Sequence, residues 1–157
     1  HIRLREVRPF RTENRPFLAA KKSVFNRIVG EPNSGGLELK FAAFLEAAGD
    51  VVSFAKNYLA VGFRLDYVRA DGDLSNYTPA FIVKTRDGTV WIVETKGREE
   101  LDLPQKMKRL KQWCADATAA GENGQRYDFV FVDQDGFEMH APKTFAALAA
   151  SFTEYKG

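Results

Sequence analysis

The sequence predicts an α/β protein, a central mixed β-sheet flanked by helices. Three observations carry this. Residues 37–48 have helical apolar spacing, residues 51–96 read as short strands joined by Asp/Gly turns, and a long helical segment at 104–120 precedes one more apolar strand. That order, helix, strands, helix, strand, helix, puts helices on the faces of a sheet.

The elements follow in turn. Leu37, Phe41, Phe44, Leu45 and Ala48 recur at helical spacing, and Gly49 ends the run. Val51-Val52-Ser53-Phe54 is a short strand. Phe63, Leu65 and Tyr67 alternate with Arg64, Asp66 and Val68, the two-residue period of another. Asp71-Gly72-Asp73 is a hairpin turn, and Tyr77–Thr85 the next predicted strand. Asp87-Gly88 turns into Val90–Lys96, rich in β-branched and aromatic residues. From Pro104 to about Ala120, Leu103, Met107, Leu110 and Cys114 form an apolar stripe, with Lys106, Lys108, Arg109 and Lys111 expected off it. Gly121-Glu122-Asn123-Gly124 breaks the chain, Tyr127–Val132 is a strand, and Lys143 to about Phe152 a closing helix.

Bulk properties bound the rest. With 157 residues and 45% hydrophobic content, the chain suits one domain with a real core. No apolar run approaches the ~20 residues of a membrane span. The single Cys114 cannot pair within the chain, so a reducing, cytoplasmic setting is expected. One Cys and two His make a zinc cage a poor fit. The net charge is +2, unevenly spread. Residues 1–27 hold eight Lys or Arg against Glu6 and Glu13, which is +6 and leaves −4 beyond. Residues 1–32 therefore read as a basic arm or linker packing on a domain that spans 33–157. Such an arm fits DNA contact and a solvated linker equally.

The chemistry centres on Glu94-Thr95-Lys96. Alternate strand residues share a face, so Glu94 and Lys96 project together with Ile92. A carboxylate can hold a divalent cation, and a nearby lysine can steady the charge that develops in phosphodiester hydrolysis. Glu-x-Lys alone is a common exposed pair worth under about 1 kcal/mol. Here it ends an apolar strand, meets Gly97, and follows a hairpin whose first strand opens Tyr77-Thr78-Pro79-Ala80-Phe81-Ile82-Val83.

With those residues the chain resembles the PD-(D/E)XK nuclease superfamily, and in particular the endonuclease domain at the C-terminal end of type III restriction Res subunits. Leu37-Glu38-Leu39-Lys40-Phe41-Ala42, Phe54-Ala55-Lys56-Asn57 and Trp113 extend the likeness, which covers roughly residues 33–133. The resemblance implies a restriction-endonuclease-like fold and a DNA endonuclease using one or two Mg²⁺. It implies Glu94 as metal ligand, the Thr95 carbonyl as a second, and Lys96 orienting water or stabilising charge. Glu38 would complete the metal shell, though it reads equally as an acid favoured by the helix dipole. Implied partners are DNA, a helicase motor preceding the domain in a longer chain, and a methyltransferase subunit that reads the site.

One position departs. Where the family has Pro-Asp, the chain has Pro79-Ala80, fourteen residues before Glu94. Alanine offers no oxygen, so the enzyme is expected to be inactive as written. An engineered Asp→Ala change and a natural pseudo-nuclease kept as a DNA-binding scaffold both account for it. Lys106, Lys108, Arg109 and Lys111 are candidate phosphate contacts, or else a solvated helix face. Tyr58, Trp91 and Trp113 read as packing residues, Cys114 as core, and His140 as structural or exposed. No Walker A loop is present, so ATP hydrolysis would belong to another part of a larger protein.

Overall fold

Leu37, Phe41 and Leu45 lie one turn apart, so a helix here presents a continuous apolar stripe to whatever it packs on. In the computed structural model, which describes residues 4–8, 17–25, 27–29, 36–58, 61–95 and 102–156, this is α1, Leu37–Ala47, with all three residues buried. It lies on one face of a four-stranded sheet. The strands are β3 (Val51–Lys56), β6 (Phe81–Thr85), β7 (Val90–Thr95) and β8 (Tyr127–Val132), in spatial order β3-β6-β7-β8. β3, β6 and β7 pair antiparallel, and β8 pairs parallel to β7 after a crossover through α2, Leu103–Ala120. The predicted α/β class with a central mixed sheet flanked by helices is what forms.

Alternation sorts the side chains into two cores. Phe54, Phe81, Val83, Val93, Val130 and Val132 pack with Phe41 and Leu45 of α1. Ile92, Phe129 and Phe131 pack with Leu103, Met107, Leu110 and Cys114 of α2. β8 is covered on both faces, which is why Phe129–Val132 read as an unbroken apolar run. Burial pushes the Cys114 thiol up to about 12, so it stays protonated and inert.

The predicted strand Tyr77–Thr85 is corrected to two. β4 (Leu65–Val68) and β5 (Leu74–Tyr77) form a hairpin of their own, turning at Gly72 with φ 91°, and β6 begins only at Phe81. Pro79 has no N–H for a ladder, so the chain leaves one sheet at Thr78-Pro79-Ala80 and enters the other. Asp102, just before α2, ties the hairpin down by accepting from the Ala70 N–H (3.1 Å) and pairing with Arg69 (3.4 Å).

The described part of the basic N-terminal stretch is docked. β1 (Phe17–Ala19) pairs with β2 (Arg27–Val29), and Ile28 enters the α1-side core. Between them Lys22 and Val24 bond the Phe54 backbone, covering the outer edge of β3. Glu46 accepts from the backbone N–H of Lys21 (2.7 Å) and Lys22 (3.1 Å). Of the predicted arm at 1–32, residues 1–3, 9–16, 26 and 30–32 lie outside the described residues.

The C-terminal region departs from expectation once more. A seven-residue helix, α3 (Gln134–His140), precedes the closing helix α4 (Phe145–Ser151). Gly136 hides α3 from a propensity reading, but Asp133 caps it by accepting from the Gly136 N–H at 2.8 Å. α4 is capped twice. Thr144 accepts from Ala147, and both oxygens of Asp50 accept from the Phe145 (2.8 Å) and Ala146 (2.9 Å) N–H groups. Asp50→Ala is expected to cost about 1–2 kcal/mol, read as a lower urea midpoint at unchanged m-value.

The β6–β7 turn supplies an acid-sensitive contact. Asp87 accepts from the Thr85 hydroxyl (2.7 Å) and the Thr89 N–H (3.0 Å) and pairs with Arg126 (3.5 Å). The Thr85 hydroxyl, first among these, holds the Asp87 carboxyl below the ordinary carboxylate range. A depressed folded pKa gives stability that is whole above the unfolded value and fades as pH falls through the folded one. Asp87→Asn is thus expected to flatten the loss of stability from neutral pH to pH ~3, measured by urea midpoints. The effect is small because the group is exposed.

Candidate active site

The candidate site stands where β3, β6 and β7 end together. Apolar β7 residues fix the strand between β6 and β8, and this buries its last two polar residues, Glu94 at 1% exposure and Thr95. One Glu94 carboxylate oxygen accepts from the Thr95 N–H at 2.9 Å. The Ala80 N–H donates to the Val93 carbonyl at 3.1 Å, so residue 80 lies beside the peptide that joins Val93 to Glu94. On its other side the Ala80 carbonyl accepts from the Asn57 N–H at 2.8 Å. Positions 57, 80 and 94 thus converge at one end of the sheet.

Two residues here, quoted in the likeness at 54–57, were given no role by the sequence. Asn57 is 6% exposed, and its side-chain NH₂ donates to the carbonyls of Phe63 and Pro79, both at 2.8 Å. It clamps the Pro79-Ala80 corner to the strand beside it. Its amide oxygen is buried without a hydrogen-bond partner among the described residues, which costs stability in an ordinary core. Lys56 is 4% exposed and meets the Glu38 carboxylate at 2.9 Å, with its ammonium 5.1 Å from the Tyr58 ring centre. The available signal was a lysine and an asparagine ending an otherwise apolar strand.

Glu38 therefore reaches the sheet, but its carboxylate is engaged by Lys56. Lys56 pairs across β3–β6 with Phe81, whose ring lies on the α1 side, whereas Glu94 alternates with Val93 and projects to the α2 side. Lys96 lies outside the described residues, which end this strand at Thr95.

The four basic residues of α2 do not share one surface. Lys106 is corrected: it is buried at 8% exposure, its ammonium 5.5 Å from the Tyr77 ring centre and 5.7 Å from that of Tyr67. It lies one residue before Met107, close enough to the stripe for its long stem to fold into the core. Lys108 is exposed. Arg109 donates to the Asp66 carbonyl (3.0 Å) and Lys111 to the Lys156 carbonyl (3.0 Å). The aromatic residues pack as expected: Trp113 meets Phe63 and Tyr127, Trp91 meets Phe145, and Tyr58 meets Phe25. His140 is exposed, edge-on to Phe152.

A hard divalent cation asks for about six oxygen ligands, carboxylates first. Among the described residues no three His, Cys, Asp or Glu side chains come together as such a set. Glu94 and the Thr95 carbonyl are present, and Ala80 puts a methyl group beside them. The described residues as they stand do not complete a Mg²⁺ site.

No protein-family model, curated protein or solved structure matches the chain. Among the described residues no helix is long and apolar enough to cross a membrane.

Proposed function

We propose that this chain is a PD-(D/E)XK-type DNA endonuclease domain, inactive as written because position 80 lacks its acid. The carrying observation is the convergence of Ala80 with Glu94. The residue that replaces the motif aspartate stands hydrogen-bonded to the peptide preceding the motif glutamate, at the end of two paired central strands. Chance placement of a Glu-x-Lys would not bring along a Pro-x position in that register. The Glu94 carboxylate, 1% exposed and accepting from the Thr95 N–H, supports the same reading, because buried acids held by hydrogen bonds at a strand end are candidates for functional groups.

On this reading the substrate is a DNA phosphodiester, the nucleophile water, and the missing cofactor ligand an aspartate at 80. The domain would serve a helicase motor in the same chain and a methyltransferase subunit that recognises the site, in the cytoplasm. The test is cleavage of plasmid DNA by Ala80→Asp in Mg²⁺ or Mn²⁺, with Lys96→Ala in that background as control. Cleavage that appears with Ala80→Asp and vanishes with Lys96→Ala supports the reading, and no cleavage in either metal refutes it.

A second reading, a non-catalytic DNA-binding pseudo-nuclease, is favoured by Ala80 itself. It expects DNA binding that survives EDTA and no gain of cleavage when the acid is restored.

A further inference from the structure

On the α2 side of the sheet, the face to which Glu94 projects, lies a cavity of about 600 Å³. Its floor is the sheet face at Ile82 and Ile92, which pair across β6–β7. Its wall holds Phe63 and Trp113, whose ring centres are 5.1 Å apart at 78°. Tyr127 meets the Trp113 indole from another direction, 5.5 Å away at 81°, so the indole is fixed between two edge-packed rings while remaining half-buried. Arg64 and Lys84 line the cavity and are exposed, and neither pairs with an acid among the described residues. An aromatic slot with two exposed cations at its rim matches a flat apolar ring carrying an anion.

Position narrows the ligand. Ile92 lies in the cavity floor, and Glu94 projects from the same strand to the same face two residues on. At ~3.4 Å per residue the two are about 7 Å apart, a span that one nucleotide bridges. We propose that this cavity takes one unstacked nucleobase of a DNA strand, held against Trp113 and Phe63, with Arg64 and Lys84 on its flanking phosphates. The inference rests on the nuclease reading for its polymer, while the slot and its charges are independent of it. Stacking on aromatic side chains tolerates any base, so little sequence preference is expected.

The test uses Trp91→Phe, which leaves Trp113 as sole tryptophan reporter. A short oligothymidylate is titrated against an abasic strand of the same length. The expected result is saturable change in Trp113 emission, with the abasic strand at least about tenfold weaker. Arg64→Ala/Lys84→Ala should weaken oligothymidylate at least tenfold and flatten its salt dependence. Equal affinity for the abasic strand, unchanged Trp113 emission, indifference to the double variant, or no binding at all each overturns the base slot. None of these bears on whether Ala80→Asp cleaves, so the two readings fail separately.

Discussion

Ala80→Asp, supplied with Mg²⁺ or Mn²⁺, is expected to gain DNA cleavage over the chain as written by on the order of a thousandfold. The size follows from charge. A carboxylate at 80 would add an anionic oxygen ligand next to Glu94, and such a ligand contributes roughly 4 kcal/mol to holding a divalent cation and the charge that builds around it. Each ~1.4 kcal/mol is tenfold in rate. The corner that would carry the acid is already braced, through the Ala80 N–H on Val93, the Ala80 carbonyl on the Asn57 N–H, and the Asn57 side chain on Pro79. Little rearrangement is needed to present it. Asn57→Ala in the restored background is the informative companion, because it loosens that corner without touching a ligand.

Phe41→Ala is expected to produce the largest loss of stability of any single truncation in α1. Phe41 is wholly buried, with ring centres 5.2 Å from Phe81, 5.6 Å from Phe44 and 5.6 Å from Phe137. It joins the helix that carries Glu38, the strand that follows Ala80 and the helix α3. Removing such a ring costs about 3–5 kcal/mol, the lost burial plus the cavity left behind. That is a large part of the 5–15 kcal/mol typical of a whole domain, and lowers Tm by on the order of 10 °C. Leu74→Ala is the control, since Leu74 is 79% exposed and its loss should be near neutral. A Phe41→Ala loss below about 1 kcal/mol would contradict the packing described.

Much of this was legible in the sequence. Leu37, Phe41 and Leu45 announced α1 by period, and Tyr127–Val132 read as a strand, though not as one covered on both faces. Glu94 was found because alternation in a strand fixes which residues share a face. Other features were hidden for physical reasons. Pro79 redirects the chain between two sheets, an event that depends on pairing partners far away. Gly136 weakens α3 locally, and Asp133 and contacts with Phe41 and Phe44 restore it. Lys106 carries a charge that marks it for the surface, yet two tyrosine rings and a long aliphatic stem let it lie inside. Lys56 and Asn57 entered only as part of a likeness, and the pairing with β6 and α1 gave them partners.

On the proposed reading, position 80 is a metal-ligand position from which the ligand is missing. Calorimetric titration of Mn²⁺ into the chain and into Ala80→Asp tests it without requiring DNA or turnover. Saturable binding to Ala80→Asp is expected, at least tenfold tighter than to the chain as written and abolished by Glu94→Gln. Equal or absent binding in both, or binding to Ala80→Asp that ignores Glu94→Gln, would contradict it.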